Sequence, residues 1–411
     1  MNKHRICFLV GSVAISGGTY VIIQHASYLQ RQGYFITLAV LEGFDYNALS
    51  WHDSASSLRC LHLEDAKAES FDLVIATWWK TVFELHQFKA LRYAYFVQSV
   101  ESRFYPETEV ALRALVESTY GIPVAYVTEA SWIRRYLMEK YGHDATLVRN
   151  GIRKDIYKKT GDVISRRNLY RMPRVLIEGH FGVPFKNTAL GVRLAREAGA
   201  QEIWVLTGTP VNWLPGVSRV FSRVPMVKTP LIYRSCDVLV KLSTVEGMFG
   251  PPLEMFHCGG TALVFDVSGH DEYIVHKENA IVVPTGDMEG VVTNLRRLLN
   301  DRLELLRLQN GAQITADGWM SWESASEKFH IWIKSVLISS VSNGEVIGRI
   351  TNEAFDHYAR SEHQRTSKNS SALTMSVRTL SRNFSILKPI KLVLKRLEAI
   401  FEILFGTRRV Y

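Results

Sequence analysis

The chain has 411 residues, 47% of them apolar and 22% charged, with a formal net charge of +9. This length exceeds a single typical core, so two domains are expected, and no apolar run reaches the roughly 18–20 residues of a membrane span. The positive charge suggests anionic partners; with no basic run, zinc spacing or aromatic-basic RNA pattern, nucleic acid is not expected among them.

The first residues, MNKHRICFLVGSVAISGG, have the outline of a signal peptide, but a strand running into a glycine turn explains them better. A helical pattern follows at once, with Val21, Ile22, Ala26 and Leu29 on one face. Strand, glycine turn (Ser16-Gly17-Gly18) and helix form a phosphate-binding arrangement, because glycines let the backbone approach a ligand at a helix start. The spacing is not G-x-G-x-x-G, and no acid closes the second strand, expected over 35–41. Both facts count against a nicotinamide enzyme. Further strands over 58–63, 73–77, 93–97 and 123–127, with amphipathic helices between several of them, describe a doubly wound sheet. Trp78 and Trp79 follow the strand ending at Thr77; indoles there suit the apolar face of a sugar ring, or simple packing. Thr128-Glu129-Ala130-Ser131 opens a helix with hydroxyl and carboxylate groups, as a capping segment would. Asn150-Gly151 is a strong turn, and the basic stretch 153–174 then joins two domains, with the boundary near residue 155. The four cysteines (Cys7, Cys60, Cys236, Cys258) are far apart in sequence, which fits neither a disulfide framework nor a metal site and suggests a reducing compartment.

The second half begins with a strand over 175–178 and the turn Gly179-His180-Phe181-Gly182-Val183-Pro184-Phe185-Lys186. Strands over 202–207 and 218–224, a helix up to Cys236 and a strand over 237–242 lead into STVEGMFGPPLEMFHCGGT, residues 243–261. Here Glu246 and Glu254 are separated by seven residues. Glu246 should sit at the carboxyl end of a strand, where open α/β sheets bind ligands, and Glu254 in the helix whose first turn Pro251 and Pro252 set. A strand over 262–265, the segment Ser268-Gly269-His270-Asp271-Glu272, a strand and turn over 279–286 and a helix over 287–305 follow.

The 243–261 stretch resembles the E-x7-E motif of the family 4 glycosyltransferases, and the resemblance extends over about residues 5–335. It implies an α/β GT-B fold, with Rossmann-like domains over 1–155 and 156–338 facing a central cleft. A late helix, with 322–336 as candidate, should cross back onto the first domain. On this resemblance Glu246, with the backbone amides from Gly247 through Met248 and Phe249 to Gly250, holds the transferred sugar, and Glu254 accepts hydrogen bonds from the nucleotide ribose. Gly17 and Gly18 face the donor phosphates. Gly179-His180 and Lys186 stand where the family has G-R-x4-K around the diphosphate, with histidine replacing arginine and Lys186 one residue late. Trp78 and Glu129 fall on the acceptor side. The segment 95–106, YFVQSVESRFYP, resembles one in rhamnosyltransferases of bacterial surface-polysaccharide assembly, although Ser99 stands where that group usually has an acid. The implied reaction is retaining transfer of a sugar from a nucleotide-diphosphate-sugar to a glycan or lipid-linked glycan, in the cytoplasm. No Asp-x-Asp pair occurs, so neither metal nor further cofactor is expected. An epimerase, a phosphorylase and a non-catalytic scaffold are the rival readings.

The residues from 339 on differ. From Val341 to the end there are twelve Lys/Arg against six Asp/Glu, a net +6 of the total +9. Residues 361–371 read as a loose polar stretch. Within about 387–405, Leu387, Ile390, Leu394, Leu397, Phe401 and Leu404 form an apolar stripe beside Lys388, Lys391 and Lys395. Such an amphipathic helix can rest on an anionic membrane surface, pair with a second copy, or pack on its own enzyme.

Overall fold

The computed structural model describes residues 4–44, 49–368 and 403. The first sheet contains β1 (Arg5–Val10), β2 (Phe35–Val40), β3 (Arg59–His62), β4 (Ser70–Ala76), β5 (Lys89–Val97), β6 (Ala125–Thr128) and β7 (Thr146–Leu147). The helices α1 (Gly17–Arg31), α2 (Leu63–Ala66), α3 (Trp79–Val82), α4 (Val110–Ser118) and α5 (Ser131–Tyr141) accompany it. All its pairings are parallel, in the order β3-β2-β1-β4-β5-β6-β7. Helices on the faces bury both sides of such a sheet, which is why β1 and β2 are almost wholly apolar and buried after their first residue.

The second domain repeats the plan with β8 (Val175–Glu178), β9 (Ile203–Thr207), β10 (Arg219–Ser222), β11 (Val238–Lys241), β12 (Thr261–Phe265) and β13 (Ile281–Val283), again all parallel, in the order β10-β9-β8-β11-β12-β13. Its helices are α6 (Thr188–Glu197), α7 (Thr229–Ser235), α8 (Gly250–His257), α9 (Met288–Asn300) and α10 (Arg302–Gly318). In each sheet the chain reverses its winding direction beside the first strand, between β1 and β4 and between β8 and β11. Ligands of open α/β sheets bind outside the carboxyl ends at such points. The loops after these four strands carry Gly17, Trp78, Lys186 and Glu246.

The late helix does cross back. Within α11 (Trp322–Ile338), Phe329 is fully buried in the first domain's core, 6.3 Å from Phe8 and 4.2 Å from the ring of His25 in α1. Three expectations need correction. The helix expected over 287–305 is two helices, because the Asp301 side chain accepts the Glu304 amide at 3.0 Å and starts α10 afresh. The stretch from 361 to 368 is not loose but ends α12 (Gly344–Lys368), which packs along α4 of the first domain through Ala354 and Tyr358, and on the segment after α3 through the Phe83–Phe355 contact at 4.8 Å. Residues 322–368 thus belong by packing to the first domain rather than to 156–338 or a separate extension. Of the helix expected over 387–405, Ile403 alone is described, buried within the second domain's core cluster; the rest lies outside the described residues. Among the described residues no helix is long and apolar enough to cross a membrane, and all four cysteines are buried and free.

His25 joins α1 to α11: fully buried, it bonds Ser326 Oγ through Nδ1 at 3.1 Å. Burial pushes its pKa down from 6.5 to about 3. The folded state therefore keeps the ring neutral, while the unfolded chain binds a proton below the ordinary histidine pKa. The stability tied to this group is fully present above that pKa and is lost as pH falls towards about 3, by about 1.4 kcal/mol per pH unit. Denaturant unfolding at about pH 7 and pH 5 should show a flatter acid dependence in His25→Asn than in the parent, and identical dependences would acquit this residue.

Candidate active site

The domains meet around a cavity of about 610 Å³, within the size range of small-molecule sites. Its second-domain wall rests on the turn after β8. Residues 184–186 form one 3₁₀ turn that Asn187 ends in the left-handed region at φ 49°, and the Asn187 side chain donates to the Leu242 carbonyl at 2.9 Å. The Phe185 carbonyl accepts the Thr244 amide at 2.8 Å. These bonds tie the Lys186 loop to the loop after β11, and Lys186 Nζ lies 2.8 Å from both carboxylate oxygens of Glu246. His180 also lines the cavity, its ring so close to Gly208 that a Cβ there would lie 2.1 Å from the ring.

Lys241, the last residue of β11, is only 2% exposed, contacts the Glu178 carboxylate that ends β8, and lies 3.7 Å from Glu246. Burial alone would raise the Glu246 pKa, but Lys186 and Lys241 outweigh it and hold the carboxylate below its ordinary value. Among the described residues Glu254 has no such cation in contact. Burial, with Glu178 adding to it, pushes its pKa up to about 7 against hydrogen bonds from Tyr233 and Tyr157 and the charge of Lys241.

The first-domain wall begins at α1. The Ser16 side chain caps this helix by accepting the Thr19 amide at 3.1 Å, leaving Gly17 and Gly18 at its N-terminus against the cavity. Trp78 lines the same wall, whereas Trp79 is buried and bonds Tyr105 through its indole at 3.1 Å. Glu101, also on this wall, is buried, accepts the Trp79 amide at 2.7 Å and is pushed by burial to about 8.

Several bonds run between the domains. Glu129 accepts Asn150 Nδ2 at 2.9 Å and, across the seam, the Met248 amide at 3.1 Å. Burial raises its pKa to about 7, partly countered by these two bonds. The Trp132 indole donates to the Gly247 carbonyl at 3.0 Å. Only glycine fits at 247, since a Cβ would lie 1.8 Å from the Gln98 carbonyl oxygen. Glu272 of the second domain accepts the Ser131 amide and hydroxyl and takes Arg149 Nε at 2.6 Å. The cap of α5 is therefore supplied by the other domain; the Thr128–Ser131 segment does not cap itself, and Ala130 at the N-cap has no side-chain bond.

The structure brings Gly17, Gly18, Trp78, Glu129, Gly179, His180, Lys186, Glu246, Gly247, Met248, Gly250 and Glu254 to one cavity. Phe249 is not among them. Its side chain is fully buried in the second-domain core and its carbonyl accepts the Tyr273 hydroxyl. Two of the four loop amides are also engaged within the protein, Met248 with Glu129 and Gly250 with the Met248 carbonyl at 3.0 Å. Sequence reasoning missed Lys241 and Glu178, though a lysine or glutamate closing an apolar parallel strand is the signal that marks them. It also missed Arg223, a further cation on the cavity wall, at a left-handed φ of 53° just after β10.

Sucrose-phosphate synthase from Thermosynechococcus elongatus superposes with a TM-score of 0.65 at 14% identity, covering 82% of this chain and 100% of that one. HepE from Anabaena, solved with UDP and glucose, superposes with a TM-score of 0.64 at 14% identity, covering 81% of this chain and 100% of that one. The fold is GT-B. Residues 214–314 match the family model described as Glycosyl transferases group 1, a window holding β11, Glu246, Glu254 and Glu272 but not Lys186. A curated relative is the O-antigen biosynthesis protein RfbC of Myxococcus xanthus, 25% identical in an alignment of 270 residues that covers 62% of this chain. The match spans about a fifth (20%) of that relative's length.

Within this GT-B frame Glu272 is the most exposed to test, because its side chain is 1% accessible and its partners all come from the first domain or the linker. Glu272→Ala should lower unfolding free energy by about 2–3 kcal/mol, somewhat less than a fully buried pair would lose since Arg149 is 37% exposed. The domain seam should also loosen, raising the radius of gyration in X-ray scattering. An unchanged melting curve would show that the seam does not depend on this carboxylate.

Proposed function

We propose that the protein is a glycosyltransferase that moves a sugar from a nucleotide-diphosphate-sugar to a glycan or lipid-linked glycan in cell-surface polysaccharide assembly. The observation that carries the reading is the meeting of Lys186, Glu246 and Glu254 in one interdomain cavity, opposite the glycine-started α1. The match to the group 1 family and the O-antigen relative support the same class of reaction.

In this reading the diphosphate lies between Lys186 and the N-terminus of α1, where an ammonium and free backbone N–H groups meet negative charge. Gly179 and His180 flank it. Glu254 takes the ribose hydroxyls; with its pKa near 7 it switches between accepting and donating close to neutrality. Glu246 accepts hydrogen bonds from hydroxyls of the transferred sugar and holds the anomeric carbon beside the leaving phosphate. Transfer breaks the bond from that carbon to the phosphate oxygen and forms one to an acceptor hydroxyl, whose proton passes to the departing phosphate. With retention the acceptor arrives on the face that the phosphate leaves, so that phosphate is the nearest base. The acceptor enters along Trp78 and the first-domain wall. No step uses a metal ion, consistent with the lack of an Asp-x-Asp pair. The protein works at the cytoplasmic face of a membrane.

The test is sugar transfer by the full chain from a donor panel of UDP-, GDP-, ADP- and dTDP-sugars that includes dTDP-rhamnose. Glu254→Ala should weaken nucleotide binding by about 1–3 kcal/mol, as for a lost charge-assisted hydrogen bond. Glu246→Ala should reduce turnover far more than nucleotide affinity, and Lys186→Ala should reduce both. Chelators should leave the rate intact. Nucleotide affinity unchanged in a folded Glu254→Ala protein would remove the ribose assignment, and dependence on added Mn²⁺ would refute the metal-free route.

A further inference from the structure

Lys186 has a partner in the structure, Glu246 at 2.8 Å, and in the proposed reading a second, the donor diphosphate, that competes for the same ammonium. Its side chain is 23% exposed and reaches the cavity from a loop. A group with two or more negative charges attracts a compact ammonium on a flexible stem more strongly than one carboxylate does. When the donor enters, Glu246 therefore loses its nearest cation. Its side chain is 10% exposed, the Glu129 carboxylate from the loop before α5 and the Tyr273 hydroxyl interact with it, and Glu178 from β8, Glu254 from α8 and His180 line the same cavity. A carboxylate so placed would take up a proton and stop accepting hydrogen bonds from the sugar.

We propose that Lys241 takes over Glu246 at that moment, as the fixed counter-ion that keeps its carboxylate ionised and in position while Lys186 turns to the diphosphate. Lys241 cannot make the same turn. It ends a central strand, its side chain is 2% exposed, and Glu178 grips its ammonium from the neighbouring strand. The parallel register that pairs Val240 with Ile177 makes Lys241 and Glu178 the next pair across β11 and β8. From there Lys241 Nζ lies 3.7 Å from Glu246 Oε1, in reach without leaving Glu178. Lys241 is a positioning residue, acting through Glu246, and Glu178 holds Lys241. This inference rests on the reading of the cavity as a nucleoside-diphosphate site.

The experiment is calorimetric titration of the full chain with UDP, GDP, ADP and dTDP near pH 6.5, in buffers of different ionisation enthalpy. It counts the protons taken up on binding and needs no turnover. The charge-balanced variant Lys241→Met/Glu178→Gln should take up between about half and one proton more per bound nucleotide than the parent, because Glu246 protonates when Lys186 leaves it. Adding Glu246→Gln should abolish that excess, and Lys241→Arg should behave as the parent. In turnover assays the acid limb of kcat should move up by about one pH unit in the double variant, with donor KM within about threefold. Equal proton uptake in the parent and the double variant would overturn the role of Lys241 alone. If the parent binds none of the four nucleotides, the nucleotide reading of the cavity falls and the assignment of Lys241 falls with it.

Discussion

A carboxylate removed from water has to meet a cation or several hydrogen-bond donors, or else it takes up a proton. The cleft of this protein is arranged by that constraint. Among the glutamates that face the cleft or its seam, Glu129, Glu178, Glu246, Glu254 and Glu272 satisfy the requirement in several ways. Glu246 stands between two lysines, and Glu178 shares one of them. Glu272 combines an arginine with a helix start. Glu129 and Glu254 have only neutral donors in contact, and their raised pKa values follow.

The same requirement ties the domains together. Each wall has an acid whose partner lies across the seam, so the domains complete each other's hydrogen bonding: Glu129 reaches the Met248 amide, and Glu272 reaches Ser131. The loop that carries Glu246 is thereby clamped by the first domain as well as by its own, and Gly247 leaves room for the Gln98 carbonyl. The contacts that join the domains therefore also hold the loop of the proposed sugar-binding carboxylate. The crossing of α11 onto α1 adds a packing contact away from the cleft, through Phe329 and His25.

The two parallel sheets and the position of both acids of E-x7-E were legible in the chain, because buried parallel strands read as apolar runs and ligand loops follow their carboxyl ends. Lys186 was singled out only through the resemblance to the family's G-R-x4-K pattern. Phe249 was misread. In a one-dimensional motif it sits among ligand residues, but a loop that enters a helix turns alternate side chains inward, and the largest apolar one went to the core. The helix 344–368 was missed for another reason: its polar composition hides a narrow apolar seam that becomes visible only against α4.

Local composition and periodicity thus determined the strands, most helices and the glycine turn before α1, since these depend on residues near in sequence. Only the tertiary structure decided the partners of charged groups. Lys241 meets Glu178 from 63 positions away, Glu272 meets Ser131 from 141, and Lys186 meets Glu246 from 60. No periodicity encodes those distances. They follow from strand order and register in one sheet, and from the approach of two domains across the cleft. The physical reason is that ionic pairing in a buried site depends on a few ångströms of space, and sequence separation carries no information about that.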